Sequence, residues 1–99
     1  IARVFRSNNV YRIAGLHLRV DKNDIGWSRV LFATTRAFSG AVARNRAKRY
    51  VREAYRLVRG DIRGNNDIAF VLYPGAYDFT DRQKQVLNLL RRAGLLSSE

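Results

Sequence analysis

The 99-residue chain contains no cysteine and no methionine. Without cysteine it forms neither disulfides nor thiolate metal sites, and we expect a cytoplasmic protein. Without an initiator methionine, we expect translation to begin upstream of Ile1. The sequence also lacks an apolar run long enough to cross a membrane and lacks a secretory signal peptide, so no membrane partner is expected.

Side chains suited to catalysis are scarce as well. His17 is the only histidine, and a single histidine in a strand is more often a surface or half-buried residue than a catalyst. The eight acidic residues are scattered along the chain, whereas a two-metal nuclease needs clustered carboxylates. No glycine-rich phosphate loop is present. These absences disfavour an enzyme that works alone.

Positive charge, in contrast, is abundant. The chain has 19 Lys and Arg residues against 8 Asp and Glu, a formal net charge of +11. A chain of this length, with 46% hydrophobic residues, is long and apolar enough to form one domain over residues 1–99, with a frayed tail at 97–99. The charge indicates a polyanionic partner.

Much of this charge lies in residues 41–60, AVARNRAKRYVREAYRLVRG, where Glu53 is the single acid. Plotted at about 100° per residue, the segment separates into two faces. The basic face contains Asn45, Lys48, Arg49, Arg52, Arg56 and Arg59, with Arg44 and Arg46 at its edges, and the apolar face contains Ala43, Ala47, Tyr50, Val51, Ala54, Leu57 and Val58. The pattern predicts an amphipathic helix that Ser39 caps and Gly60 ends.

A charged helix face is often only a solvated surface. This face lacks the usual mixture of signs, and like charges three or four residues apart repel by a few tenths of a kcal/mol per pair. Arg44 and Arg46 also lie in the first turns, where the helix dipole disfavours cations. Bound phosphates would offset these costs, so we favour a nucleic-acid interface over a solvated face.

The remaining segments predict strands around this helix. Residues 10–21 alternate between apolar and polar and predict one half-buried strand. A hairpin over residues 22–26 is expected to lead into a second strand, 27–35, whose apolar run 30–33 suggests burial on both faces. A third strand, 68–73, follows the basic helix, so the second and third strands should be parallel.

The chain is expected to end in a further helix. Thr80 and Gln83 have the spacing of a capping box, which predicts a helix start at this point. The apolar side of this helix is formed by Val86, Leu87, Leu89, Leu90 and Ala93. Gly94 is the predicted stop.

The basic segment resembles a known signature. Arg44-Asn45-Arg46, followed by Lys48-Arg49, Arg52-Glu53-Ala54 and Arg56, is similar to the RNR helix of the bacterial ribonuclease P protein subunit. The flanking sequence agrees over nearly the whole chain: Val4-Phe5-Arg6, Arg29-Val30, Arg36 and the late run LLRRAGLL at 89–96. The extended pattern is more specific than the triplet alone.

The resemblance implies an α+β fold. It is a two-layer sandwich of a roughly four-stranded mixed sheet with helices, in the order α-β-β-(β)-α-β-α. The first helix would lie at residues 1–6. The crossover between the parallel strands would be left-handed, as in the ribosomal protein S5 domain 2-like fold, although right-handed crossovers are the general rule.

The resemblance also implies a function in the 5′ maturation of precursor transfer RNA. The chain would be the accessory subunit of an endoribonuclease whose RNA subunit carries the catalysis and holds most of the Mg²⁺, with no catalytic or metal residue in the protein. RNA-subunit contacts would come from Arg44, Asn45, Arg46, Lys48, Arg49 and Arg52, with Arg29, Arg36 and Arg56 as further phosphate contacts.

The single-stranded 5′ leader would be bound by Phe5, Arg19 and Ile1, in a cleft over the sheet. This chain departs from the family at three positions. Relatives often have Phe at Ile1, an aromatic at Arg19 and Lys at Ala37, so here a guanidinium replaces a ring and one phosphate contact is lost. An arginine can still stack on a base or bind a phosphate.

Two other functions remain open on the residues alone. One is a different RNA-binding or ribosomal protein without a role in tRNA cleavage, although no RNP1-like run is present. The other is a double-stranded DNA binder that places the basic helix in a major groove. No helix-turn-helix spacing precedes the helix, so DNA is not the expected partner.

Overall fold

The computed structural model describes residues 9–97. Its elements are β1 (Val10–Ile13), β2 (Leu16–Lys22), β3 (Arg29–Thr34), α1 (Ala41–Val58), a 3-10 turn (Arg59–Asp61), β4 (Asn66–Leu72) and α2 (Phe79–Arg92). The predicted α+β sandwich with a mixed four-stranded sheet is confirmed. The helix predicted at residues 1–6 lies outside the described residues. Within them, no helix is long and apolar enough to span a membrane.

The strands are arranged in the order β1-β2-β4-β3. β4 pairs antiparallel with β2 and parallel with β3, so the predicted parallel crossover from β3 through α1 to β4 is confirmed. Its left-handed sense stays a prediction. The hairpin predicted between β2 and β3 is wrong, because β4 lies between these two strands and takes the hydrogen bonds of both.

The strand predicted over residues 10–21 is two strands. Ile13 pairs with Leu16 across a tight turn formed by Ala14 and Gly15. Gly15 has φ +86°, a conformation that other L-residues rarely adopt. Residues 13–16, Ile-Ala-Gly-Leu, are all apolar, so no polar residue marked the break.

The burial predicted for both faces of the second strand is also wrong. All six residues of β3 are half-buried. Among the strands of residues 9–97, β3 pairs with β4 alone and is therefore an edge strand. The fully buried strand is β4, in which six of seven residues are buried.

The core lies between one face of the sheet and the two helices. The alternation predicted in β2 is confirmed, since Leu16, Leu18 and Val20 are buried and the residues between them are half-buried. They pack with residues of β4, α1 and α2: Ile68, Phe70, Leu72, Ala47, Val51, Ala54, Tyr55, Val86, Leu89 and Leu90. Each fully buried side chain of this kind contributes roughly 1.5–3 kcal/mol. Both helices are therefore held on the same side of the sheet.

The helix ends differ from prediction in three of four cases. Gly40, not Ser39, precedes α1, and no side chain caps it. Gly60 lies inside the 3-10 turn and does not end the helix. Asp78 and Asp81 form the capping box of α2 in place of Thr80 and Gln83.

The stop at Gly94 is confirmed. Its φ is +75°, and the Gly94 and Leu95 N–H groups donate to the carbonyls of Arg91 and Leu90 at 3.0 Å. This is the Schellman arrangement that glycine favours after a helix. It turns the chain so that Leu95 and Leu96 are buried.

A partly buried ion pair joins β3 to β4. The side chain of Asp67 is 1% exposed and accepts hydrogen bonds from Arg29 Nε and Nη2, both at 2.7 Å. Asn23 Nδ2 donates a third at 3.0 Å. The hydrogen bonds from Arg29, opposed by burial, hold the pKa of Asp67 at about 2. Arg29 thus makes its ion pair within the sheet, and the phosphate contact that the resemblance implies for it stays a prediction.

Replacing Asp67 by Asn should destabilise the fold at neutral pH by about 2 kcal/mol, the scale of hydrogen bonds to charged groups. The pKa of Asp67 falls on folding, from 3.8 to about 2. Ionised Asp67 therefore stabilises the fold fully above about pH 4, and this contribution is lost as the pH falls toward about 2. The difference in the free energy of unfolding between wild type and Asp67→Asn, measured by thermal unfolding, should therefore become smaller as the pH falls from about 4 to about 2.

Asp24→Asn is the matched control, because Asp24 is exposed in the loop after β2. It should change the free energy of unfolding by less than about 0.5 kcal/mol. If the difference in the free energy of unfolding between wild type and Asp67→Asn stayed constant down to pH ~2, the ionisation of Asp67 would not contribute to stability. That result would contradict the stabilising role assigned to its ion pair.

Candidate nucleic-acid interface

The helix α1 presents the predicted basic face to solvent. Ala47, Val51, Ala54 and Tyr55 are its buried residues. The side chains of the basic face are exposed or half-buried: Arg44, Asn45, Arg46, Lys48, Arg49, Arg52, Arg56 and Arg59. Over 18 residues the helix is about 27 Å long. Its cations therefore form a rigid row.

The apolar face differs from the prediction at three residues. Leu57 is 51% exposed, whereas Tyr55, which was not assigned to either face, is 7% exposed and packs edge-on against Phe70 and Phe32. Tyr50 is half-buried rather than fully in the core. The buried stripe is therefore centred on Val51 and Tyr55, which is the helix side that meets the sheet.

Most cations of this face have no counter-ion. Within residues 9–97, Arg44, Arg46 and Lys48 make no hydrogen bond or ion pair through their side chains. The Arg49 guanidinium lies 5.6 Å from the centre of the Tyr50 ring, and that of Arg52 lies 5.7 Å from the centre of the Phe32 ring. Contacts with rings leave the charge unneutralised. The face is ready to accept anions.

Arg56 is the exception on the basic face. Its Nε donates to Glu53 at 2.9 Å and its Nη2 donates to the other carboxylate oxygen. This hydrogen bonding lowers the pKa of Glu53 and raises the pKa of Arg56. The charge of Arg56 is thus balanced within the helix, which makes it a weaker phosphate contact than its neighbours.

Arg36 lies apart from the helix, in the segment that joins β3 to α1. Its side chain is exposed, and no group within residues 9–97 pairs with it. It is close in sequence to the start of α1, and it adds a further unbalanced charge near the basic face.

The other face of the sheet is the second candidate surface. Both described helices pack on the opposite side, and on this open sheet face β2 places His17 and Arg19, as the alternation predicts. The His17 and Tyr73 rings lie 4.4 Å apart. Burial, together with Arg12 and Arg19, lowers the pKa of His17, so its imidazole is neutral at pH 7. Phe5 and Ile1 lie outside the described residues.

His17 and Tyr73 were not among the predicted site residues. The spacing of His17 and Arg19, two residues apart in a strand, is the signal that places them on one face. The position of Tyr73 was hidden, because it depends on the pairing of β4 with β2. Within residues 9–97, the open sheet face therefore offers two rings beside Arg19, the one predicted leader contact that lies in this range.

A cleft adjoins the first half of α1. It has a volume of about 510 Å³ and is lined by residues 37–39, by the adjacent side of α1, and by residues 74–78 with Arg82. We call it the α1 cleft. Phe38, Tyr50 and Tyr77 supply its rings and Arg46 its exposed cation.

Carboxylates do not converge anywhere in the described part of the chain. No group of three or more His, Cys, Asp or Glu residues within residues 9–97 is placed to hold a metal ion. These residues therefore do not fit a protein-bound Mg²⁺, and the chemistry they offer is the binding of anions and rings.

The fold and the charge distribution of residues 9–97 define a class: small basic α+β domains that expose a cationic helix on one side of a four-stranded mixed sheet and have no described helix on the other side. A family model described as ribonuclease P matches residues 1–94. The chain therefore belongs to the family of ribonuclease P protein components.

Individual relatives agree with this assignment. The chain is 36% identical over 97 residues to the ribonuclease P protein component of Clostridium novyi, covering 94% of this chain and 86% of the relative. The ribonuclease P protein of Thermotoga maritima has a TM-score of 0.80 at 28% identity, over 92% of this chain and 88% of that one. The Staphylococcus aureus protein, at 19% identity, shares the fold with a TM-score of 0.85 over 97% and 90% of the two chains.

The salt dependence of RNA binding tests the basic face. If about five of its side chains contact phosphates, log affinity should fall against log salt with a slope of roughly −3.5 to −4.5. Arg49→Ala or Arg52→Ala should each make the slope shallower by somewhat less than about one unit, because one contact that releases a counter-ion is lost. The slope is measured by titrations at several salt concentrations.

Arg56→Ala is the matched control, with the same charge change on the same helix. Because Glu53 already balances Arg56, this variant should change the slope less. Equal changes in all three variants would mean that net charge, not contact, sets the slope. If the slopes for Arg49→Ala and Arg52→Ala were unchanged, the basic face would be a solvated surface and not an RNA interface.

Proposed function

We propose that this protein is the accessory subunit of a ribonuclease P, and that it binds the RNA subunit and the 5′ leader of precursor transfer RNA to promote 5′-end maturation. The observation that carries the proposal is the row of unbalanced cations on α1, at the positions that resemble the RNR signature. A rigid row of cations suits phosphates whose spacing is fixed by a folded RNA.

The proposed RNA-subunit contacts are those with the fewest protein partners. Arg44, Arg46 and Lys48 have no counter-ion within residues 9–97, and Asn45, Arg49 and Arg52 are exposed beside them. Arg36 is proposed as an additional contact, and Arg56 as a secondary one. The net charge of +11 lowers the repulsion between two polyanions that must meet.

The leader is proposed to bind the open sheet face. A single strand exposes its bases, and bases stack on aromatic rings and on guanidinium planes with little dependence on sequence. Arg19 and the His17–Tyr73 pair lie on this face. Phe5 and Ile1 are proposed to complete the leader site.

The protein supplies binding and charge rather than chemistry. The described residues do not fit a metal site, so the Mg²⁺ of the holoenzyme is proposed to be held mainly by RNA. Precursor transfer RNA is made in the bacterial cytoplasm, which is the proposed place of action.

The deciding experiment adds the purified protein to a bacterial ribonuclease P RNA at low magnesium, where the RNA alone is slow. Cleavage of precursor transfer RNA at its 5′ end should rise when the protein is added. The protein freed of RNA should cleave nothing. Failure to stimulate cleavage would contradict the proposed function, and cleavage by RNA-free protein would contradict the assignment of catalysis to RNA.

A pair of variants should separate the two proposed surfaces. Arg46→Ala removes a cation of the basic face and should weaken assembly with the RNA subunit first. Phe5→Ala should weaken binding of precursor relative to mature transfer RNA, by the ~1–3 kcal/mol that stacking of one base contributes, and leave assembly nearly unchanged. Each variant needs two affinities, one for the RNA subunit and one for precursor relative to mature transfer RNA.

Arg19→Ala extends the comparison to the described part of the leader surface. A leader-specific loss at Arg19 alone would keep the site but assign its stacking to the guanidinium. Phe5→Ala lowering both affinities in parallel, or unfolding the domain, would make Phe5 a core residue and the leader assignment wrong.

A further inference from the structure

The α1 cleft is a second place where rings and cations meet. Three segments close it: residues 37–39 before α1, the side of α1 that bears Ala43 and Arg46, and residues 74–78. Its volume of about 510 Å³ lies in the range of roughly 300–1,000 Å³ that is usual for small-molecule sites. It is distinct from the open sheet face, because α1 packs on the other side of the sheet.

The aromatic wall of the cleft is held in place. A Cβ added to Gly15 would lie 2.5 Å from the Tyr77 ring, and one added to Gly75 would also collide with it. Arg82 covers the ring with its guanidinium, 4.5 Å from the ring centre. Tyr77 is therefore fixed between two backbone segments, and a fixed ring can stack on a base at little entropic cost.

A second ring is fixed across the cleft. Tyr50 packs edge-on against Phe79, with ring centres 6.1 Å apart. The Arg49 guanidinium lies 5.6 Å from the centre of the Tyr50 ring. Tyr50 and Tyr77 both line the cleft and both are half-buried. Each thus keeps part of its ring accessible.

The electrostatics of the cleft favour an anion. The first turn of α1 contains no acid and has no side-chain cap, so its N–H groups are available, as at helix ends that bind phosphate. Arg46 adds a cation without a partner in residues 9–97. The carboxylate in the lining, Asp78, is engaged by the Asp81 N–H at 2.8 Å.

A buried arginine at the base of the cleft points the same way. Arg82 is 1% exposed, donates to the carbonyls of Gly15 and Tyr73 and to Gln85, and pairs with no carboxylate. Among the groups of residues 9–97 its Nε has no acceptor. Burial lowers its pKa, and the neighbouring Tyr77 and Asp81 oppose that shift. A buried guanidinium that still has a free donor would be stabilised by an anion that approaches it.

We propose that the α1 cleft binds one unstacked nucleotide of an RNA bound to the protein, with the base against the rings of Tyr50 and Tyr77 and the phosphate at the start of α1 beside Arg46. Single-stranded or bulged nucleotides are recognised in this way by stacking combined with phosphate contacts. That the RNA is the ribonuclease P RNA rests on the proposed function; that the cleft takes a nucleotide does not.

The test begins with the unsubstituted protein and three probes: adenosine 5′-monophosphate, adenosine and inorganic phosphate. In NMR titrations the nucleotide should shift the amides of residues 38–46 and 75–78 and bind more tightly than either of its parts. Shifts confined to the open sheet face, or binding by phosphate equal to that by the nucleotide, would overturn the proposal.

Two matched variants locate the site without changing charge. Ala43→Gln places a longer side chain in the cleft, and Val42→Gln places the same side chain one position earlier, where the residue is 73% exposed. Ala43→Gln should weaken nucleotide binding at least fivefold, and Val42→Gln should leave it unchanged. Thermal unfolding checks that both are folded, and equal nucleotide affinities in the two variants would overturn the proposal.

The same variants are then measured against the ribonuclease P RNA. Loss of one stacked nucleotide should lower affinity roughly 5- to 150-fold for Ala43→Gln, with the salt slope unchanged because no cation is removed. If wild type stimulated cleavage but bound no nucleotide in the α1 cleft, only the nucleotide site would be contradicted. If it bound the nucleotide but did not stimulate cleavage, the proposed function would be contradicted and the nucleotide site would not.

Discussion

The contact of the Tyr55 ring with Phe70 and Phe32 fixes where the basic face points. The Tyr55 and Phe70 ring centres are 5.9 Å apart, edge to face, and Phe70 stacks on Phe32 at 5.7 Å. A rotation of α1 by one residue, about 100°, would carry Tyr55 out of this cluster and put either Arg56 or the much smaller Ala54 in its place. Burying an unpaired guanidinium costs far more than an aromatic contact gains. The rotation of the helix is therefore set by its apolar side.

This arrangement leaves the domain with an electrostatic cost. Like charges repel along α1, and Glu53 relieves only Arg56 through an ion pair. The first turn lacks the acid that would favour a helix start. The stability needed to carry these charges comes from β4, whose burial and hydrogen bonds to both neighbours make it the centre of the sheet. The ion pair between Arg29 and the buried Asp67 further joins β4 to β3.

Patterns that depend on neighbours in sequence were predictable, and those that depend on pairing were not. The two faces of α1 and the alternation of Leu16, Leu18 and Val20 follow from helix and strand periods. The structure confirms the alternation, and it confirms the faces of α1 except at Tyr50, Tyr55 and Leu57. The order of strands follows from which edges meet in space, so the hairpin expected between β2 and β3 was wrong. The same reason hid the partner of Arg29, because Asp67 is 38 residues away in the chain.

Local errors had local causes. The break at Gly15 was missed because residues 13–16 are all apolar, although the turn needs a positive φ at Gly15. Thr80 and Gln83 have a capping-box spacing, but Asp78 and Asp81 have the same spacing two residues earlier, and their carboxylates accept N–H bonds more strongly. In the candidate site, the cations of α1 were found from the sequence, while Tyr73 and the α1 cleft required the fold.

The position of the Tyr77 ring links three residues that are distant or non-adjacent in the chain. The ring fills the space that a side chain at Gly15 or Gly75 would need. Enlarging either glycine therefore requires a smaller residue at position 77, and a smaller residue at position 77 would leave a void against both backbones. Among relatives we expect positions 15, 75 and 77 to change together or not at all. The shape of the turn between β1 and β2 would then vary together with the wall of the α1 cleft.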